Sequence, residues 1–233
     1  MRIAGDVLKI CHSHTITGSN MRRYLATTAL IALFAAPGAL LAQDFSVSAG
    51  ATLTSRYMSS GIEQTNGFAI QPWIEVEANG FYAGVWASNV SKSLLGSSAE
   101  VDLYLGYRNE IGAFSYDIGY ARYYYRSPNV DCCGEFILDM GYAVTDEFSI
   151  GGRVAYDPKA EVTNTRLSAA YAFTDQISAD ITYGKINKGG HRYWQVGGSY
   201  AVNDTLSLGL AWHDTNITKG RLVASMDISF SLR

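Results

Sequence analysis

Charged side chains recur along this chain one position away from apolar ones. Glu75 sits between Ile74 and Val76, Asp102 between Val101 and Leu103, and Asp139 between Leu138 and Met140. Arg108 follows Tyr107, Asp117 precedes Ile118, Arg153 precedes Val154, Arg166 precedes Leu167, Asp180 precedes Ile181, and Asp227 lies between Met226 and Ile228. A period of two belongs to a β-strand, whose successive side chains point to opposite faces, so these charges would share a face that the apolar residues avoid. Charges of both signs on such a face can select ions by sign, or pair with one another and cancel.

Other chemistry is poorly supplied. A nucleophilic enzyme needs Ser, His and Asp within hydrogen-bond reach, and beyond residue 42 the only histidines are His191 and His213, neither in a catalytic motif. No G-x-S-x-G, H-E-x-x-H, phosphate-loop or EF-hand pattern occurs, so catalysis, nucleotides, metals and cofactors are not expected. Cys132 and Cys133 are adjacent, with no C-x-x-C or paired His to complete a zinc site. They are expected in a loop, either joined as a vicinal disulfide or free.

Strands must position the charges. From Asp44 onward an alternating stretch of about ten residues repeats, closed each time by a turn signal. The stretches are 45–57, 68–78, 81–91, 99–110, 113–126, 135–145, 147–157, 162–174, 176–187, 191–202, 205–215 and 221–232. Asn79-Gly80, Gly112, Asp146 and Asn203-Asp204 suit short turns with positive φ. Longer links rich in Gly, Ser, Asn and Pro alternate with them, at 59–67, 92–98, 127–134, 158–161, 188–190 and 216–220. Short turns at one end and longer loops at the other predict an all-β fold, a transmembrane antiparallel up-and-down β-barrel of twelve strands, with ten as the other even count.

The two faces differ in kind. Leu206, Leu208, Leu210 and Trp212 oppose Ser207, Gly209, Ala211 and His213, and Leu222, Met226, Ile228 and Phe230 oppose Val223, Ser225, Asp227 and Ser229. A water-facing sheet would carry more Lys and Glu on its polar side. The small residues here suit the crowded inner surface of a closed barrel. Aromatics near the strand ends, among them Phe81, Tyr82, Tyr107, Phe114, Tyr123, Tyr124, Tyr125, Tyr193 and Trp212, are expected to form interfacial girdles.

Met21-Arg22-Arg23-Tyr24 followed by the apolar stretch Leu25 to Leu41 has the order of a secretory signal peptide, with cleavage expected between Ala42 and Gln43. A membrane anchor would need about 20 continuous apolar residues, whereas Pro37 and Gly38 interrupt this run. The reading divides the chain into an extension at 1–20 that precedes the true start, a leader at 21–42 and a barrel at 43–233. Losing Arg2, Lys9, Arg22, Arg23 and Asp6 takes the 18 basic and 21 acidic residues to 14 and 20, and the formal charge from −3 to −6, leaving no basic patch for nucleic acid.

Particular segments also resemble a family. Ser46-Val47-Ser48-Ala49-Gly50, Leu53-Thr54-Ser55-Arg56-Tyr57, Gly61-Ile62-Glu63-Gln64-Thr65 and the more specific Phe81-Tyr82-Ala83-Gly84-Val85-Trp86-Ala87-Ser88-Asn89-Val90 are similar to the TorF family of bacterial porins, also described as Gcw-type conserved proteins of unknown function. Glu100 to Tyr107 and Ile111 to Gly119 look like its next hairpin. After Asp131 the likeness fades to pattern. The Cys132-Cys133 pair and the ending Phe230-Ser231-Leu232-Arg233, where the family tends to close on an aromatic, depart from it.

The resemblance implies a small Gram-negative outer-membrane pore for hydrophilic solutes, with lipid and the barrel assembly machinery as partners. The excess of acids adds a mild cation preference. The alternatives are a plugged barrel serving as a structural or surface-interaction protein and, behind it, a barrel enzyme.

Overall fold

The computed structural model describes residues 45–126 and 130–232; the expected leader and the Ala42/Gln43 cleavage lie outside them. Twelve strands of 9 to 14 residues close into one antiparallel barrel. They are β1 (Ser46–Thr54), β4 (Ala69–Ala78), β5 (Phe81–Asn89), β6 (Ala99–Ile111), β7 (Phe114–Tyr125), β8 (Val130–Ala143), β9 (Phe148–Asp157), β10 (Val162–Ala172), β11 (Ile177–Ile186), β12 (Arg192–Ala201), β13 (Leu206–Thr215) and β14 (Arg221–Ser231). Each pairs with its neighbour in sequence, and β1 pairs with both β4 and β14 to leave no edge. Strands of this length cross a bilayer core when tilted.

The short links after β4, β6, β8, β10 and β12 gather at one rim together with both ends of the barrel, and the longer ones at the other. Asn79 (φ 53°) and Gly80 (φ 82°) supply the left-handed pair that a two-residue hairpin turn requires.

Two long links carry structure that strand periodicity does not announce. Within the link expected at 59–67, and starting one residue before it, a small hairpin forms from β2 (Met58–Ser59) and β3 (Ile62–Glu63), and 92–95 form one helical turn, α1 (Lys92–Leu95). A third difference concerns the cysteines. Strand β8 begins at Val130, so Cys132 and Cys133 lie within it and are joined by a disulfide. Tyr123 faces Cys133 and Tyr124 faces Asp131, so Cys132 is the extra residue of a β-bulge.

Burial separates the faces as the alternation predicts. Leu103, Leu105, Ile118, Phe136, Leu167, Ile181, Leu210 and Leu222 all point outward and are exposed, forming an apolar band around the barrel that water would not tolerate. Phe81, Tyr107, Tyr116 and Phe114 meet ring to ring at the short-turn rim, which accounts for that girdle. Tyr82, Tyr123, Tyr125 and Tyr193, expected in girdles, instead have inward parity. Proximity to a strand end does not decide the face; register does.

Those inward tyrosines build the core, which sits inside the barrel toward the long-loop rim. Tyr57, Val90, Leu95, Tyr104, Ala121, Tyr123, Tyr125 and Cys133 form one buried cluster there, flanked by Trp86 and Ile137. Toward the short-turn rim the inward positions are Ser115, Gly141, Ser149, Gly151, Ser168 and Ala170, which line a hollow of about 250 Å³. The buried cluster thus fills the lumen toward the long-loop rim, and the hollow lies toward the short-turn rim.

Candidate functional site in the barrel lumen

Cross-strand register assembles the charges of separate strands into one belt. Arg108 on β6 faces Asp117 on β7, which faces Asp139 on β8, then Arg153 on β9 and Arg166 on β10. The sequence places each of these on a polar face; only the register puts them at one level.

Arg108 lies over the Tyr82 ring, 3.9 Å from its centroid, and reaches Glu75 on β4 at 2.7 Å. Glu77 follows at 3.6 Å and Asp117 at 4.0 Å, so three carboxylates surround one guanidinium. The Tyr82 hydroxyl donates to Asp117 at 2.5 Å, and burial of its ring on the lumen wall requires Gly106 beside it, since a Cβ there would meet the phenol.

Arg153 makes the other strong contact. Its Nε and Nη2 donate to the two oxygens of Asp139 at 2.5 and 2.6 Å, the bidentate geometry that only Arg provides, and its side chain is 10% exposed. Arg166 stands next to it in register on β10.

The remaining charges sit apart from the belt. Asp180 accepts from Gln195 at 3.2 Å, and Asp227 from Thr52 at 2.5 Å and Ser225 at 3.3 Å. Asp102 is buried in the filled half, facing Trp86 and Tyr123 across the sheet. The inward face thus holds every charge singled out from sequence, but only Glu75, Arg108, Asp117, Asp139, Arg153 and Arg166 come together.

Glu77, Glu100, Glu135, Asp157 and Arg221 share the inward parity and were not among the candidates. Extending the alternation would have found them: Glu77 is two residues beyond Glu75, Glu100 two before Asp102 and Glu135 four before Asp139. Glu100 accepts from Tyr125 at 2.7 Å and from Tyr57 at 3.2 Å, and Glu135 accepts from Tyr123 at 2.7 Å. Acids outnumber bases at the inward positions of the described strands. At the rim, the Lys188 ammonium, 2.6 Å from Glu161, holds that exposed carboxyl below the usual carboxylate range.

His213 is inward on β13, in register with Gln195 and Arg221, and His191 lies in the link before β12, hydrogen-bonded to the Ser60 carbonyl. Among the described residues no group of His, Cys, Asp and Glu side chains has the geometry to hold a metal ion.

A closed barrel with a charged, tyrosine-rich lumen narrows the comparison with known proteins, and a family match spans residues 39–230, nearly the whole barrel. The chain belongs to the Gcw_chp family. Its members are described as bacterial proteins of unknown function. Curated proteins include none that matches this Gcw_chp chain in sequence.

Among solved structures it is similar to a KdgM porin, at 16% identity and a TM-score of 0.63, covering 78% of this chain and 99% of that one. A KdgM porin in complex with disordered oligogalacturonate gives 14% identity and a TM-score of 0.60, with 79% and 99% covered. At these identities the likeness concerns the fold: a barrel of porin architecture.

Proposed function

We propose that this protein is an outer-membrane porin of the TorF type, through which small hydrophilic solutes or ions diffuse passively with a mild preference for cations. A leader cleaved after Ala42 and the barrel assembly machinery would deliver it to the membrane. The observation that carries the reading is the division of one closed barrel into an apolar outer band and a charged inner belt. Such a wall is of use only if lipid lies outside and water within.

The sign of the preference follows from the unequal pairing. Three carboxylates, Glu75, Glu77 and Asp117, gather around Arg108, while Asp180 and Asp227 accept from neutral groups. A lumen with surplus negative charge raises the local concentration of cations and lowers that of anions. It is a poor match for a polyanion such as the oligogalacturonate held by the KdgM porin.

The filled half of the lumen favours a second reading, a plugged barrel with a structural or surface-interaction role. Planar-bilayer recording of the refolded mature chain separates the two. Stepwise current, with a reversal potential in a salt gradient that marks cations as the main carriers, is expected of a porin; a membrane that stays silent at every voltage, with the barrel shown to be folded, leaves only the plugged reading. Replacing Asp102 and Asp117 together by Asn should move the reversal potential toward zero. An unmoved potential would take both side chains off the ion path.

A further inference from the structure

The link between β1 and β4 does not stay at the rim. Ser60 (φ 47°) and Gly61 (φ 77°) form a two-residue turn with both residues left-handed, which ties β2 to β3 in a tight hairpin. Its base is fixed where it leaves the wall. Glu63 receives Arg56 at 2.8 Å and Arg221 of β14 at 2.7 Å, the backbone N–H of Gln64 donates to the Tyr57 carbonyl at 2.8 Å, and the Tyr57 ring packs edge-on to Trp86.

Its tip is fixed on the opposite wall. The Ser60 hydroxyl accepts from Asn164 of β10 at 3.0 Å, and the Ser60 carbonyl lies 2.9 Å from His191 Nε2, in the link before β12. Gly61 presses on Thr215 of β13 and on Tyr193 of β12 so closely that a Cβ would collide with both. In the circular strand order β1-β14-β13-β12-β11-β10-β9-β8-β7-β6-β5-β4, β10 lies across the barrel from the β1/β4 seam. The hairpin therefore spans the lumen from wall to wall.

Burial agrees with that placement. Inward residues at this level, Asn164, Tyr193, Thr215 and Val223, are buried, whereas the hollow beyond, toward the short-turn rim, remains open. Asn164 is held at the tip by the Tyr193 hydroxyl at 2.9 Å, and Tyr193 in turn lies flat only because Gly184 beside it has no side chain. The wall is shaped to receive the tip, while the tip itself is held by hydrogen bonds and close packing alone, contacts that can break and re-form.

We infer that the Met58–Glu63 hairpin is the size-limiting barrier of this pore, closing the lumen at its long-loop end while docked on Asn164 and His191 and admitting solute when it swings away. The inference rests on the porin reading, and its test is built to fail separately from it. Two full-length variants are compared with the parent in planar bilayers and in liposome swelling with sugars of increasing size. One replaces residues 58–63 by Gly and Ser. The other, Asn164→Ala with His191→Ala, keeps the hairpin and removes its dock.

Each variant is first checked for a folded barrel by heat-modifiable gel mobility. A several-fold rise in mean conductance over a conducting parent, with entry of larger sugars, is expected in both; a silent parent beside conducting variants would overturn the inference, since the hairpin would then be a permanent plug. Should the hairpin replacement fail to fold, the undocked variant decides alone. A conducting parent whose variants keep its conductance and size limit would overturn the inference and leave the porin reading intact, while silence from all folded barrels would overturn both.

Discussion

At the scale of single residues, the pair Arg153 and Asp139 shows what the lumen demands of a charge. The guanidinium is nearly enclosed, and its Nε and Nη2 both donate to one carboxylate. Removing one partner of such a pair strands the other, at a cost of about 3 kcal/mol or more, whereas a surface pair would cost little. Asp139→Asn should therefore lower the urea midpoint of the refolded barrel clearly, while Asp180→Asn, whose carboxylate meets only the Gln195 amide among the bonds described, should leave it nearly unchanged. Equal loss in the two variants would mean that the bidentate geometry contributes nothing special.

His191 carries a second prediction at this scale. Its imidazole is held at Ser60, and burial pushes its pKa below the ordinary value of 6.5, with the Ser60 carbonyl pulling weakly the other way. The docked state thus prefers a neutral ring. Undocking returns the ring to water and its pKa toward 6.5, so between the depressed value and 6.5 the undocked state binds more protons. Acidification favours undocking, and docking strengthens as pH rises through that window. Mean conductance should rise as pH falls from about 7.5 to 5.5, and His191→Gln should flatten that slope. A slope retained in His191→Gln would assign the titration elsewhere.

At the scale of elements, what could be foreseen depended on how long a pattern ran. All twelve barrel strands are visible as alternation because each runs for 9 residues or more and keeps one face apolar. The hairpin is not. Its strands have two residues each, too few to show any period, and only Ser60-Gly61 hints at the turn. The bulge at Cys132 escaped for a related reason, because one inserted residue shifts parity and makes a continuous strand read as a loop followed by a shorter strand. The belt was half legible: parity assigned its residues to the inner face, whereas their meeting at one level depends on pairing register, which alternation leaves undetermined.

For the whole molecule, the question is which solvent each face meets, and two adjacent residues at the middle of β10 put it to the test. Leu167 is 69% exposed on the outer band, and Ser168 lines the inner hollow. A soluble β-protein would accept Lys at Leu167 with little loss, because a side chain 69% exposed has little packing to forfeit. In a bilayer the same change places an ammonium in hydrocarbon, at a cost of roughly 2–4 kcal/mol near the midplane. Ser168→Lys, one residue on, points into the aqueous hollow and should shift stability by about 1 kcal/mol or less, any penalty coming from Arg166 two residues away on the same face. Equilibrium refolding into phospholipid vesicles measures both. Leu167→Lys well below the parent with Ser168→Lys near it is the order that lipid dictates; the reverse order, or no difference, would mean that the apolar band does not face a membrane.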